Sequence, residues 1–268
     1  MMWLLILSCV ISTQEHTNFL DELMRENSIQ YLSLNGESSS IEFDPFSEEL
    51  YIGYQGWLFS FYVVDFIHEN EQPMVILSTE TEDGKKAFLA LENNDERLGL
   101  IWCRSDTNLS VEQQLGNEIC YIENLEMQSI NPTGIRLTFV YDDEVDQLLM
   151  FYGSQEVVRM DAAEPLFRDA EQLIFGTAKT EGLSSWKGGI DSMVLHLGAP
   201  TESFVEKTCS FGESRRVFSE LEAYLDTNPP MLKRLSYWNT GEDEEGIILD
   251  SFLSIHGVTI DATVVPYQ

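Results

Sequence analysis

Short runs of β-prone residues, separated by clusters of turn residues, follow one another from about residue 30 to residue 197. Residues 56–64, 134–141 and 147–152 are typical of these runs. Runs of this length that are rich in Val, Ile, Leu and aromatic residues indicate strands. Some ten or more short strands without regular helices between them favour two packed sheets, so the sequence predicts an all-β, antiparallel two-sheet sandwich.

Two local patterns in these runs give finer expectations. The dipeptide Asn35-Gly36 ends the first run and is typical of a hairpin turn. In the last run, successive side chains of a regular strand point to opposite faces. Strict alternation would therefore place Ser192 on the same face as Ile190 and Val194.

The first eleven residues, MMWLLILSCVI, are almost all apolar. The run is too short to span a bilayer but fits the apolar region of a secretory signal peptide, although no Lys or Arg precedes it. We expect residues 1–14 to be a signal peptide, with a mature start near Thr13 or Glu15; the alternative is a buried N-terminal strand. The sequence contains no run of 18 apolar residues, so we expect no membrane-spanning helix.

The charge balance restricts the class of partner. The chain has 46 acidic and 15 basic side chains, which gives a formal net charge of −31. Nucleic acid is disfavoured because its phosphates must be met by Lys and Arg, and an anionic membrane surface is disfavoured for the same reason. Hydrophobic residues make up 43% of the chain, which is enough for a sizeable core and excludes a disordered acidic tail.

Three cysteines remain after the signal peptide: Cys103, Cys120 and Cys209. Cys103 and Cys120 flank a polar segment that could be a loop between two strands, and a bridge there would stabilise the fold by about 3 kcal/mol. Two buried free thiols are the alternative. Cys209 would then be unpaired or bonded outside this chain. Asn108, in Asn108-Leu109-Ser110, is a glycosylation acceptor within the same segment, which suits a secreted or extracellular surface protein.

The order of the runs resembles the laminin-G-like and concanavalin-A-like jelly-roll domains. The resemblance rests on four stretches, of which the last is the most specific: 31–36, 56–63, 134–157 and 173–195. The last stretch includes Trp186-Lys187-Gly188-Gly189-Ile190-Asp191, similar to the closing motif of the family. The resemblance implies a jelly-roll sandwich over residues 28–209. The family's central hairpin normally opens with Trp, where this chain has Gly134-Ile135.

Residues 210–268 form a C-terminal extension of different character. Apolar residues at near-helical spacing predict a short helix within 212–226, and Asn228-Pro229-Pro230 would end it. Residues 235–251 resemble the lead-in to another such domain. The extension therefore either opens a second unit or folds back as strands on the first sandwich. We favour folding back, since an isolated half-sandwich could not bury its apolar face.

One set of carboxylates could serve catalysis. Glu42, Asp44 and Glu48 read E-x-D-x-x-x-E, a spacing similar to the catalytic strand of a glucanase family in this jelly-roll class. Paired carboxylates are what glycoside hydrolysis requires. Pro45 would remove a ladder hydrogen bond in the middle of such a strand, which favours a turn instead.

Calcium is the one cofactor that the acidic loops suggest. Laminin-G-like domains often hold it with loop Asp side chains and carbonyl oxygens, and hard oxygen ligands suit this ion. Asp142, Asp143 and Asp146 fall in the turn of the predicted central hairpin, so they are the candidate metal ligands. A solvated acidic loop is the alternative.

The leading hypothesis for function is a non-catalytic extracellular binding or adhesion module that recognises a protein or a carbohydrate through loops at the rim of the sandwich. A glycan-active hydrolase that uses Glu42, Asp44 and Glu48 is the second hypothesis. The third is a structural subunit of an extracellular assembly, joined through edge strands and Cys209. The fold alone does not decide among them.

Overall fold

The computed structural model describes thirteen segments of the chain, and every secondary-structure element in them is a strand. The segments are 30–43, 56–67, 72–80, 86–93, 98–105, 120–124, 133–142, 144–161, 172–178, 182–197, 234–238, 247–248 and 257–266. Within these residues no helix is long and apolar enough to cross a membrane.

Sixteen strands alternate with turns and connections. They are β1 (Gln30–Asn35), β2 (Ser40–Phe43), β3 (Trp57–Val63), β4 (Met74–Glu80), β5 (Lys86–Asn93), β6 (Leu98–Ser105), β7 (Cys120–Asn124), β8 (Ile135–Asp142), β9 (Gln147–Tyr152), β10 (Gln155–Asp161), β11 (Gln172–Phe175), β12 (Lys187–Leu197), β13 (Arg234–Trp238), β14 (Ile247–Ile248), β15 (Gly257–Ile260) and β16 (Thr263–Pro266).

The strands form two sheets of eight strands each. Sheet A has the order β10-β9-β8-β3-β12-β1-β16, with β13 also paired to β12. Sheet B has the order β14-β15-β2-β11-β4-β5-β6-β7. Every strand pair in both sheets is antiparallel. The prediction of an all-β two-sheet sandwich is confirmed.

The main core lies between the two sheets and is rich in aromatic rings. Phe61 of sheet A meets Phe175 of sheet B edge-on, with ring centroids 5.1 Å apart, and meets Trp186 in the same manner at 5.4 Å. Toward the other end, Trp57 stacks on Trp102 across the sheets at 5.9 Å. Such pairs add about 0.5–1.5 kcal/mol to the area that they bury.

The first turn differs from the hairpin that Asn35-Gly36 predicts. β1 belongs to sheet A and β2 to sheet B, so residues 36–39 carry the chain across the sandwich instead of reversing it within one sheet. The side-chain oxygen of Asn35 accepts hydrogen bonds from the backbone N–H groups of Glu37, Ser38 and Ser39, at 2.8, 3.1 and 3.2 Å. Asn stabilises turns of many kinds in this way, which is why the dipeptide alone did not distinguish the two connections.

A β-bulge in β12 overturns the alternation expected for the last run. The register against β3 shifts between Asp191 and Val194, and Ser192 adopts a positive φ of 53°. Ile190, Met193 and Leu195 consequently point into the core. The extra residue of a bulge resets the two-residue period, so Ile190 and Val194 lie on opposite faces.

The strands of the C-terminal region add to both sheets. β13 pairs with β12, β15 with β2, and β16 with β1. Only Asp261 and Ala262 separate β15 in sheet B from β16 in sheet A, and Asp261 has a φ of 50°. Residues 212–226, for which the sequence predicts a helix, lie outside the described residues.

Candidate functional site

The outer face of sheet A, which points away from sheet B, carries a buried polar cluster at its centre. We call Ser60, Arg136, Thr138 and Ser192 the arginine cluster; each of the four residues is at most 1% exposed. Ser60 and Thr138 share a hydrogen bond of 2.9 Å between their hydroxyls. At these positions the outer face of sheet A is therefore not an open binding groove.

The bulge in β12 and Ser60 of β3 supply acceptors for Arg136. Nη1 of Arg136 donates to the backbone carbonyl of Ser192 at 2.9 Å and to Oγ of Ser60 at 3.2 Å. Nη2 donates to Oγ of Ser192 at 3.0 Å. A buried guanidinium requires hydrogen-bond acceptors, and the bulge places two of them within reach of Arg136. The same two hydrogen bonds hold the bulge in its conformation.

The outer face of sheet B is also buried at its centre, but by apolar side chains. This second cluster contains Val75, Phe88, Ala90, Ile101, Cys103 and Ala178. Leu183, in the connection between β11 and β12, packs against it. The middle of each outer face is thus filled, which leaves the ends of the sandwich as the places for a site.

A polar cavity of 220 Å³ opens at one end of the sandwich, and we call it the end cavity. It is lined by the turn after β1, the segment after β3, the start of β4 and the residues that lead into β12. The lining residues are Asn35, Gly36, Glu37, Ile67, Met74, Ser184, Ser185 and Lys187.

Hydrogen bonds between the connections hold the walls of the end cavity in place. Oγ of Ser185 donates to the backbone carbonyl of Glu37 at 3.1 Å, which ties the β11–β12 connection to the first turn. The backbone N–H of Ser184 donates to the carbonyl of Pro73 at 2.9 Å, and Ser184 also forms an isolated bridge with Met74. The walls are therefore joined to each other and not only to their own strands.

Gly36 allows the close approach of Lys187 at this cavity. It has a φ of 80°, and a Cβ atom at Gly36 would lie 2.8 Å from Cβ of Lys187. Only glycine satisfies both conditions at low cost. The aliphatic stem of Lys187 thus packs along the turn and forms part of the wall.

The candidate calcium ligands lie at the opposite end of sheet A. Asp142 and Asp146 flank the tip of the β8–β9 hairpin, which is near the start of β3, whereas the end cavity is near its end. Oδ1 of Asp142 accepts the backbone N–H of Glu144 at 3.0 Å, and Oδ1 of Asp146 accepts the Tyr141 hydroxyl at 3.0 Å. Among the described residues, no group of three His, Cys, Asp or Glu side chains could hold a metal ion. Asp143 lies outside them.

Of the three candidate catalytic carboxylates, only Glu42 lies among the described residues. It lies in β2, between Ile174 of β11 and Val258 of β15, and is partly buried. Nε2 of Gln172 donates to Oε2 of Glu42 at 2.9 Å. Asp44 and Glu48 lie outside the described residues.

Cys103 is disulfide-bonded, and its side chain is fully buried. In the β6–β7 ladder the residue directly opposite Cys103 is Cys120. The pairing of these two cysteines remains a prediction. Asn108, Cys209 and the predicted signal peptide at residues 1–14 lie outside the described residues.

Sequence reasoning did not find the arginine cluster or the end cavity. Arg136 lies in a run that otherwise reads as a buried strand, and a lone charged residue among seven apolar or small neighbours was the available signal. The residues of the end cavity come from three connections and the strand ends beside them, so no local motif joins them.

Comparisons with known proteins agree on the fold. No protein-family model matches the sequence, and no curated protein matches it. Among solved structures, the chain is similar to a heptameric SAP-like pentraxin from Limulus polyphemus, with a TM-score of 0.52 and 10% identity over 87% of this chain and 96% of that one. At this identity the likeness shows the fold alone.

Two further structures are similar at lower scores. A putative carbohydrate-binding protein from Bacteroides ovatus has a TM-score of 0.48 and 12% identity, over 90% of this chain and 61% of that chain. Domains LG4-5 of the mouse laminin α1 chain have a TM-score of 0.40 and 13% identity, over 62% of this chain and 41% of that chain. The sheet topology and the likeness to the pentraxin confirm the jelly-roll sandwich, as a fold, that the laminin-G-like and concanavalin-A-like resemblance implies.

Proposed function

We propose that this protein is a secreted or cell-surface module that binds a protein or a glycan without cleaving it. The end cavity carries the proposal, because polar groups of the β1–β2 connection and of the residues that lead into β12 converge there around one small space. Binding sites concentrate on loops that a rigid scaffold positions. The filled centres of both outer faces support a site at the end of the sandwich instead of on a face.

Two features of the sequence support an extracellular location. The apolar segment at residues 1–11 fits a signal peptide, and Asn108 is a glycosylation acceptor. The disulfide at Cys103 agrees with an oxidising compartment, since disulfides are rare in the cytosol.

A secretion experiment tests the location. The full sequence is expressed in eukaryotic cells, and the N-terminus of the protein in the medium is read by mass spectrometry. We expect a mature start between residues 11 and 16. Retention of the chain inside the cell, or an intact Met1 in the medium, would contradict export.

A binding screen tests the activity. The secreted protein is applied to an immobilised glycan array and to an array of extracellular proteins, and the same preparation is incubated with polysaccharides to detect new reducing ends. We expect a specific ligand on one array and no reducing ends. Release of reducing ends that is lost in Glu42→Gln would favour the hydrolase instead. Binding on neither array would contradict the module.

A further inference from the structure

The two serine hydroxyl groups at the end cavity already donate their hydrogens to acceptors within the protein. Oγ of Ser184 donates to the carbonyl of Gln72 or Pro73, each at 3.3 Å, and Oγ of Ser185 donates to the carbonyl of Glu37 or to Oγ1 of Thr177. A hydroxyl carries one hydrogen and two lone pairs. Toward a ligand, Ser184 and Ser185 therefore offer acceptors and not donors.

The other lining side chains supply both acceptors and donors. Glu37 is exposed and adds a carboxylate, which accepts only. The side-chain donors of the lining are the amide of Asn35 and the ammonium of Lys187. The lone pairs of Ser184, Ser185 and Glu37 suit a ligand group rich in N–H donors, and among the described lining residues Lys187 is the one charge that opposes a cation.

The charge of the chain favours the same kind of ligand. With a net charge of −31, the protein attracts cations and repels anions over distances well beyond one contact. The ammonium of Lys187 repels a cation in the cavity, so removal of this charge tests whether the ligand is positively or negatively charged. A cation gains from loss of the Lys187 charge, whereas an anion loses its main partner.

We propose that the end cavity binds the cationic side chain, lysine or arginine, of a basic partner protein. This inference rests on the proposed function and specifies its ligand. The cavity volume of 220 Å³ is below the range of about 300–1,000 Å³ that whole small molecules occupy, so it suits the tip of a side chain. None of the eight described lining residues is aromatic, so this part of the lining offers a sugar no ring face to stack on.

The test is a titration of the full mature chain with small probes, followed by NMR at the backbone amides of Gly36, Ser185 and Lys187. The probes are the N-acetyl methylamides of lysine, arginine and norleucine, together with N-acetylglucosamine and acetate. We expect the lysine or arginine probe to shift these amides, while norleucine, N-acetylglucosamine and acetate leave them unchanged. Dominant binding of acetate or of N-acetylglucosamine would overturn the proposal.

Three variants make the result specific. Glu37→Gln removes a carboxylate at the cavity and should weaken the lysine or arginine probe about fivefold, the effect of roughly 1 kcal/mol. Lys187→Met should increase the affinity for the same probe. Glu144→Gln is the matched control, because it removes the same charge from an exposed residue at the opposite end of sheet A and should leave the affinity unchanged. Equal effects of the Glu37 and Glu144 variants would mean that the probe responds only to the net charge of the protein. That result would overturn the proposed site.

The two proposals fail separately. If the arrays reveal a ligand whose affinity does not change in Glu37→Gln or Lys187→Met, the binding module stands and the end cavity is not its cationic site. If the probes bind as expected but neither array yields a ligand, the cationic site at the end cavity is supported and the proposed binding function is contradicted.

Discussion

Arg136 and Ser192 are joined by two hydrogen bonds, from Nη1 to the backbone carbonyl at 2.9 Å and from Nη2 to Oγ at 3.0 Å. The two residues are 56 positions apart and lie on strands that flank β3 on either side. The pair therefore crosses the middle strand of sheet A and links β8 to the bulge of β12. A buried charge is normally costly, and here the bulge provides the oxygens that offset the cost.

Arg136→Met tests the contribution of this pair. Methionine retains the aliphatic stem but leaves Ser60 and Ser192 without their donor, so we expect the free energy of unfolding to fall by about 3 kcal/mol. Arg159→Met is the matched control, because Arg159 is an exposed residue whose ion pair with Glu156 should contribute about 1 kcal/mol or less. Urea unfolding of both variants gives the comparison. Equal losses would show that the buried network adds nothing beyond a surface pair.

Gly188→Ala tests the junction between β12 and the segment after β3. A Cβ at Gly188 would lie 2.1 Å from the carbonyl oxygen of Asp65, and the φ of Gly188 is 134°. We expect a loss of about 3 kcal/mol or more, or failure to fold. Gly134→Ala shares a positive φ, but its Cβ would meet only Oη of Tyr62, at 3.9 Å. Strain alone should cost that variant about 1 kcal/mol.

A similar loss of stability in both glycine variants would contradict the steric argument. It would mean that backbone strain, and not the contact with Asp65, governs the Gly188 site. Thermal melts by circular dichroism distinguish the two cases, provided that both variants are soluble.

The sequence predicted the strands well and their faces less well. β9 was predicted to the residue, because turn residues bound it closely, and apolar runs located most of the others. Strands that fold back from the C-terminal extension were expected, but the bounds of β15 and β16 were not, since only two residues separate them and each is four residues long. The bulge at Ser192 has no signal in a single sequence, because any residue with a small polar side chain could occupy either face.

The site was less predictable than the fold for a physical reason. The end cavity depends on which connections meet in space, and that follows from the crossing of the chain between sheets after Asn35. A two-residue turn motif does not specify this crossing. The acidic turn at Asp142 and Asp146 was easier to find, since its residues are neighbours in sequence, but the structure uses one oxygen of each within the turn itself.

The predicted Cys103–Cys120 bridge should appear in a non-reducing peptide map. Directly opposite residues in an antiparallel ladder have Cα atoms about 4.5–5.5 Å apart, within the range that a disulfide requires. Cys103→Ala, Cys120→Ala and the double variant should each lose about 3 kcal/mol, because any of them opens the same loop. A map that links Cys103 to Cys209, or additive losses in the double variant, would contradict the pairing.

Burial raises the pKa of Tyr152 above 10.0. The folded state therefore retains the phenol proton more tightly than the unfolded state does. Stability should be unaffected well below pH 10 and should fall as the pH rises through the folded-state pKa. Tyr152→Phe removes this titration, so its unfolding free energy should fall less steeply above about pH 10 than that of the unmodified protein. Identical slopes in urea titrations would rule out the contribution of Tyr152.

Calcium binding at Asp142, Asp143 and Asp146 remains a prediction, and thermal melts decide it. The described carboxylates Asp142 and Asp146 each keep one oxygen that accepts no hydrogen bond within the turn, whereas calcium takes six to eight oxygen ligands. A specific site would stabilise the folded state by about 2.7 kcal/mol at a calcium concentration 100 times the Kd. Sodium chloride of matched ionic strength would supply only screening of the net charge of −31. We expect the melting temperature to rise more in calcium than in matched salt, and Asp146→Asn to remove the difference. Equal stabilisation by the two salts would leave the hairpin tip as a solvated acidic turn.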